Sequence, residues 1–283
     1  DKTQRGRAGI TRPLSEESLH PLREELADII RDVRATTGRP LHAAHTVTVS
    51  PDNIEGVEAI VRWTVHNSDV FRILSFQPAA DVGLTRSSDI IDKNTRRDLW
   101  KRIDAGIGHP VNRHAFHFGH PDCSQIALFG IAHLRDSRRV VEIHRRSNAE
   151  DHLFLARLLE SPLAGTSFDE DEQLINVARL IGALLRDPAF TAHAMKYGLN
   201  RVSEERALWL ELVSVIARRK TWSLRPLAIV AHHFMSAREL ASPRGRARHE
   251  ACAFRLPFGQ GMVSMCELNA TGLRQRISQD DRH

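Results

Sequence analysis

Cysteine is scarce: the 283 residues hold only three, Cys123, Cys252 and Cys266. An odd number, widely spaced and without a secretion signal, argues against a disulfide framework, and a reducing cytoplasm is the expected compartment. Aromatic residues make up 6% of the chain, with a single tyrosine. That is too few to interleave with basic residues along a nucleic-acid groove. No apolar run approaches the roughly 20 residues that cross a bilayer. The opening DKTQRGRAG has neither the apolar core nor the cleavage pattern of a signal peptide. It has no initiator methionine either, and the expectation is a chain that begins inside a longer product or has been clipped. A phosphate-binding loop, a GxSxG elbow and an HExxH helix are all missing from the sequence, as are internal repeats and low-complexity tracts.

What is present is an ordinary globular balance, 41% hydrophobic and 27% charged residues. The length suits one large domain or two smaller ones. The formal net charge is +5, supplied mostly by arginine: Arg5/Arg7, Arg96/Arg97, Arg138/Arg139, Arg218/Arg219 and Arg244/Arg246. A solvated surface accounts for most of these. An anionic small ligand, a phosphate or a carboxylate, is the best use for a few. Sixteen histidines leave metal binding and proton transfer open.

The first eighty residues alternate helix and strand. Ser15 or Ser18 caps a helix whose apolar stripe is Leu19, Leu22, Leu26, Ile29, Ile30 and Val33. Gly38 and Pro40 stop it. Leu41–Val49 is short and rich in β-branched residues, a strand. Pro51 and Asp52 open a second helix with Ile54, Val57, Val61 and Val65 inward, and Asp69–Pro78 is the next strand. Helix, strand, helix, strand with short turns is the pattern of parallel strands joined by crossovers. Two such strands cannot make a domain, so the fold class expected is α/β, half of a barrel or open sheet whose other strands lie elsewhere.

Residues 81–93 read as a loop and Asn94–Ala105 as a helix with Leu99, Trp100 and Ile103 packed. Ile126–Ile131 and Val140–Ile143 form a hairpin around a DSRR turn. Helical patterns follow at Leu153–Leu159, Glu172–Leu185, Phe190–Tyr197 and Glu204–Ala217. The chain then returns to strands at Leu227–His232, Ala251–Leu256 and Gly261–Cys266, the last two joined by a turn at Phe258–Gln260. Three regions result: residues 1–90, a mostly helical 91–225 with a small hairpin, and a strand module over 226–283.

Two constellations are suited to metal chemistry. His114, His117, His120 and Cys123 are spaced by threes, and imidazole and thiolate are the usual ligands of zinc and iron. Gly119 and Pro121 exclude a continuous helix there, and strand geometry would alternate the faces, so one or two packed histidines beside a cysteine is the simpler reading. Cys123, with His120 as a possible companion, is the member to keep. Cys252 and Cys266, on strands expected to pair, can face each other. With Cys123 they would supply three thiolates for a metal, against the alternative of three buried free cysteines.

DKTQRGRAG, AAHTVTVSPDNIE and FRILSFQPAADVG together resemble the fourth, fifth and sixth βα units of a radical S-adenosylmethionine (SAM) barrel. FGHPDCS and CAFRLP…MVSMCELNATGLR resemble C-terminal modules of one subgroup of that superfamily, which includes tetraether-lipid-synthase-like and pterin-methylase-like enzymes. The match covers the first 90 and last 50 residues well and the middle helices poorly. The resemblance implies a partial (βα) barrel in residues 1–90, a helical wall, and a C-terminal hairpin module. It implies SAM and a [4Fe–4S] cluster as cofactors, 5′-deoxyadenosyl-radical chemistry on an unactivated C–H bond of a small-molecule substrate, and a reductant such as ferredoxin or flavodoxin. The CxxxCxxC loop that holds such a cluster is absent from this sequence, so the remaining wall, and the catalysis, are expected from outside it, if need be from a partner chain. The alternative is a non-catalytic metal-binding or interaction remnant. In an α/β barrel the functional side chains stand at the carboxyl ends of strands. The resemblance therefore points to Gln4, Arg7, Thr48 and Gln77 as cofactor contacts, and to an auxiliary cluster or single metal at Cys123, Cys252 and Cys266. Where the subgroup carries a VGRT-like loop this chain reads Val82-Gly83-Leu84-Thr85, without the arginine.

Overall fold

Alternating β-branched residues make Ala43–Val49 (β1) a strand whose Val47 and Val49 are buried, and Phe71–Pro78 (β2) repeats the pattern with Leu74 and Phe76. The two run parallel, with Thr46 opposite Ser75 and Thr48 opposite Gln77. In the computed structural model, which describes residues 15–80, 82, 95–134, 137–145, 148–161, 163–164, 173–217, 222–258 and 261–273, they belong to a mixed α/β fold. A parallel pair needs a crossover between its strands. It is supplied by a short 3-10 turn and the helix Val57–His66 (α2), which follows the helix His20–Thr37 (α1) in the chain.

The next elements are the helix Thr95–Ile107 (α3) and the hairpin Ser124–Leu134 (β3) and Ser137–Glu142 (β4). Four helices come after: Ala149–Glu160 (α4), Gln173–Arg186 (α5), Pro188–Glu204 (α6) and Arg206–Ala217 (α7). Trp222–His232 (β5) then returns to the sheet, followed by the helices Ala237–Ala241 (α8) and Pro243–Glu250 (α9). The end is a two-stranded hairpin, Arg255–Phe258 (β6) and Gly261–Ser264 (β7), and the helix Met265–Ala270 (α10).

The five-stranded sheet has the order β1-β2-β5-β3-β4. β5 lies parallel to β2, and β3 lies antiparallel to both β5 and β4. β2 is therefore an interior strand, and its far neighbour comes from residues 222–232. The sequence boundary at 225/226 falls inside β5, and strands from all three expected regions share one sheet.

One face of the sheet carries the main core. Val47, Val49, Leu74, Phe76, Ala127, Phe129, Ile131, Leu227 and Ile229 meet Val57, Ile60 and Val61 of α2 and Leu99, Trp100 and Ile103 of α3. The expected inward faces of α2 and α3 are thus the observed ones. The opposite face carries a small cluster of Ala132, Leu134 and Trp222, and Ser75, Ser124, Ile126 and Val230 are buried on it as well. Over β1 and β2, Thr46 is exposed and Ile73 is 43% exposed.

The first helix departs from its expected orientation. α1 ends where expected, at Gly38 with φ 64°. It buries Ala27, Ile30 and Arg23, while Leu22, Leu26, Ile29 and Val33 face outward. The reason is a buried ion pair. The Arg23 guanidinium donates to the Glu16 carboxylate at 2.6 Å and to its carbonyl at 2.7 Å, and Glu16 also accepts from Asn53 at 3.0 Å. Turning the apolar stripe inward would pull Arg23 off that carboxylate.

The middle helices are held by a second buried charge. Asp151 on α4 is fully buried and accepts from Arg145 Nε at 2.8 Å, with Arg201 of α6 at 3.4 Å. Burial pushes the Asp151 carboxyl up, but the Arg145 bonds outweigh it and hold the pKa below the ordinary range. Among the described residues no helix is long and apolar enough to cross a membrane.

Glu16→Ala leaves the Arg23 charge buried without its partner and is expected to cost about 3–5 kcal/mol. Glu24→Ala, which removes a half-exposed partner of Arg31, is expected to cost under about 1 kcal/mol. Urea melts of the two variants against the parent check the difference.

Burial drives the pKa of His45 from 6.5 to about 3, helped by the Arg23 charge. The unfolded chain therefore binds a proton here that the folded chain refuses. This contribution to stability is complete above pH 6.5 and falls as pH drops toward 3, by up to about 1.4 kcal/mol per pH unit. His45→Leu is expected to flatten the measured pH dependence in that window.

Candidate functional site

The register brings four polar residues into one row. Thr48 is opposite Gln77, and Ser124 is opposite His232. Gln77 lies one step beyond the Phe76–Ala231 pair, which sets it beside His232. Side chains alternate along a strand, so Thr48, Gln77, His232 and Ser124 share the face opposite the main core. They stand where β1, β2 and β5 end and β3 begins. One step back along the strands, Ser75 is 7% exposed and its Oγ has no hydrogen-bond partner. The Gln77 amide is half-buried and makes no hydrogen bond among the described residues. The Thr48 carbonyl accepts from Asn53 Nδ2 at 2.8 Å, which fixes the turn that follows β1. Gln4 and Arg7 lie outside the described residues.

The cysteines gather at the same end of the sheet. Cys123 immediately precedes β3, and its carbonyl accepts from the His233 N–H at 2.9 Å. Cys252 follows α9 and Cys266 lies in α10, so neither is on a strand as the sequence suggested. Ser264 explains the second case, because its side chain accepts from the Glu267 N–H and starts a helix where β7 would have continued. Gly119, at φ 62°, lies so close to the 251–253 backbone that a Cβ there would come within 2.2 Å of the Ala251 carbonyl. Phe254 packs edge-on against His232 at 5.5 Å and Phe118 at 5.8 Å. These contacts seat the Cys252 segment against the strand ends.

Arg248 organises this corner. It is 4% exposed, and donates to the His233 carbonyl at 2.7 Å and to the Cys123 sulfur at 3.4 Å. Glu239 accepts from or shares a proton with His233 Nε2 at 3.1 Å and completes a capping box with Ser236. Burial lowers the His232 pKa. Burial also lowers that of His233, with Arg96 and Arg248 adding to the effect against Glu239. Both rings favour the neutral form.

The expected metal ligands do not fit a metal as they stand. The Cys123 sulfur faces a guanidinium, the Cys266 sulfur accepts from the Met235 N–H at 3.4 Å, and the Cys252 thiol donates to the Phe254 carbonyl at 3.3 Å. Among the described residues no three His, Cys, Asp or Glu side chains are gathered as a metal site. The histidines spaced by threes separate as well. His117 turns to the Gly119 carbonyl, and His120 Nδ1 accepts from the Asp122 N–H. A tight turn thus consumes the ring that sequence spacing offered as a ligand.

Sequence reasoning took His232-His233 only as a strand end with one ring in and one out, and passed over Arg248 and Glu239. The one available signal was Ser236-x-x-Glu239, a helix-start pattern. Nothing in the sequence tied Arg248 to Cys123, 125 positions away.

Burial raises the pKa of the Cys266 thiol, and the Met235 N–H opposes this only in part. Its alkylation by iodoacetamide at pH 8 is expected to be at least about tenfold slower than that of Cys252, as followed by peptide mass spectrometry over time. No protein-family model and no curated protein sequence matches this chain.

Proposed function

We propose that this chain is one wall of a radical SAM enzyme, and that the face of its sheet opposite the main core binds the adenosyl part of SAM across the ends of β1 and β2. The observation that supports the reading is the row of polar side chains on the face opposite the main core, at the carboxyl ends of three parallel strands. That is where α/β proteins place their ligands. Gln77 offers one donor and one acceptor group to an adenine edge or to ribose hydroxyls. Ser75 Oγ, buried without a partner, gains one when a ligand hydroxyl or ring nitrogen reaches it, and Ile73 offers exposed apolar surface beside them. Thr48 flanks Gln77 in register.

Beside a reduced iron–sulfur cluster, bound SAM supplies hydrogen-atom abstraction from an unactivated C–H bond. Among the described residues no set of ligands for that cluster is gathered, and in this reading it arrives on a wall outside the sequence, with a small-molecule substrate and a reductant such as ferredoxin or flavodoxin. The outward apolar stripe of α1 and the edge position of β1 fit a neighbouring βα unit at that side. Without the second wall the chain binds but does not catalyse.

Half a pocket binds weakly. Calorimetry with SAM is expected to give a dissociation constant in the high micromolar to millimolar range, about −4 to −5.5 kcal/mol. Gln77→Ala is expected to weaken it about tenfold with an unchanged melting temperature. Equal affinity of parent and variant, or no saturable binding, would sink the reading.

A further inference from the structure

A group of basic side chains gathers at the far end of the sheet, where α2 ends and β5 begins. His133 pairs with Arg138 across the β3–β4 ladder, and Arg225 of β5 pairs with Ile131 of β3. Ile131 belongs to the main core, so by strand alternation all three side chains stand on that face. There they meet His66, the last residue of α2, and the turn after it. Arg138 Nη1 donates to His66 Nδ1 at 2.7 Å, and Arg138 Nε is 3.5 Å from His133 Nδ1. On the other edge of the same ring, Arg225 Nη1 is 3.3 Å and Ser68 Oγ 3.1 Å from Nε2. A guanidinium only donates, and an uncharged imidazole accepts at one nitrogen and donates from the other. Whichever nitrogen carries the hydrogen, one arginine N–H is aimed at another N–H. Protonating the ring would set both arginines against it, and burial together with Arg225 and Arg138 lowers the His133 pKa to about 4. Asp69, the acid next to Ser68 in the chain, is taken by Arg31 at 2.8 Å and Arg34 at 3.3 Å. Among the described residues no carboxylate lies within ion-pair distance of Arg138.

We propose that Arg138 and Arg225, on the two edges of the His133 ring, bind a small oxyanion, the phosphate or carboxylate of a small molecule. Such a group supplies acceptors to both guanidiniums, so neither depends on the single acceptor of the ring. The arrangement is built before the ligand arrives. Ser68, fully buried, holds the His133 ring through its hydroxyl, and His66 and His133 together hold the exposed Arg138. A guanidinium fixed in this way presents its planar fork to two oxygens with little freedom left to lose. Arg225, half-buried, brings a second cation to the same ring. Ser124 and His133 are the first and tenth residues of β3, about 30 Å apart. The site is therefore separate from the polar row at Gln77, and it stands without the SAM reading.

The test is calorimetry on the parent chain with inorganic phosphate and, separately, with acetate, each at constant ionic strength set with chloride. Arg138→Gln is compared with Arg139→Gln, which removes the same charge from the other face of β4, where Arg139 lies 3.4 Å from Glu211. Saturable binding of phosphate, acetate or both is expected in the parent and in Arg139→Gln, weakened at least about tenfold in Arg138→Gln. Phosphate alone identifies a phosphorylated ligand, and acetate alone a carboxylate. NMR of the parent needs no variant: titration with the bound anion is expected to move the imidazole signals of His133 and His66, saturating at the calorimetric constant. No saturable binding of either anion overturns the proposal. So does equal affinity in Arg138→Gln and Arg139→Gln, and so does binding that leaves the His133 and His66 signals in place. SAM binding without anion binding removes this site alone, whereas the reverse leaves this site standing and removes the SAM reading.

Discussion

The pairing of β5 with β2 is the constraint on which the rest of the structure depends. Strand ladders satisfy obligatory backbone donors and acceptors, and this one does so between segments far apart in the chain. It converts a two-strand unit into the middle of a five-strand sheet. It also fixes the level of β3, because Ser124 must then lie opposite His232. From that level follow the positions of Cys123, His233 and Arg248. The core beneath is ordinary by comparison: aliphatic and aromatic side chains of β1, β2, β3 and β5 against two helices.

Two buried ion pairs decide orientations that apolar packing leaves open. Arg23 with Glu16 fixes which side of α1 meets the sheet, at the expense of an exposed apolar stripe. Asp151 with Arg145 and Arg201 ties α4 and α6 to the end of β4, where Arg201 also donates to the Ile143 carbonyl at 2.9 Å. Pairs of this kind contribute little net stability compared with a well-packed apolar substitute, but they are costly to break. Here they act as alignment devices, while the hydrophobic core supplies the driving force.

Much of the fold was legible in the sequence because it is local. The period-two runs at β1 and β2, the period-3.6 face of Val57, Val61 and Val65, the Leu99–Trp100–Ile103 face of α3, and the hairpin at β3 and β4 all appear near their expected places. So do the four middle helices, two of which start at side-chain caps, Asn148 and Asp187. Three features were not legible. Which strand lies beside β2 is a matter of tertiary pairing that no local pattern encodes. The orientation of α1 depends on a charge pair, while its hydrophobic periodicity suggested the other side. The strand reading of Cys252 and Cys266 failed because a serine cap and a turn after α9 override β-propensity at those positions. At the site, Gln77 and Thr48 were identified from strand-end position, and the register puts them side by side. Arg248 gains meaning only from what stands around it in three dimensions.

The ladder joining Ile73 to Ala228 spans more than half the chain, and that has a kinetic consequence. Contacts of such long sequence separation pay their loop-closure entropy before they return any enthalpy, and they slow folding. The hairpin and the helices can form early, on the ribosome if need be, but β2 waits with one edge unpaired until residues 222–232 have been made. During that interval the chain is a stretch of open strand in search of a partner, and chaperone occupancy or low temperature during synthesis would determine how much of it reaches the native sheet.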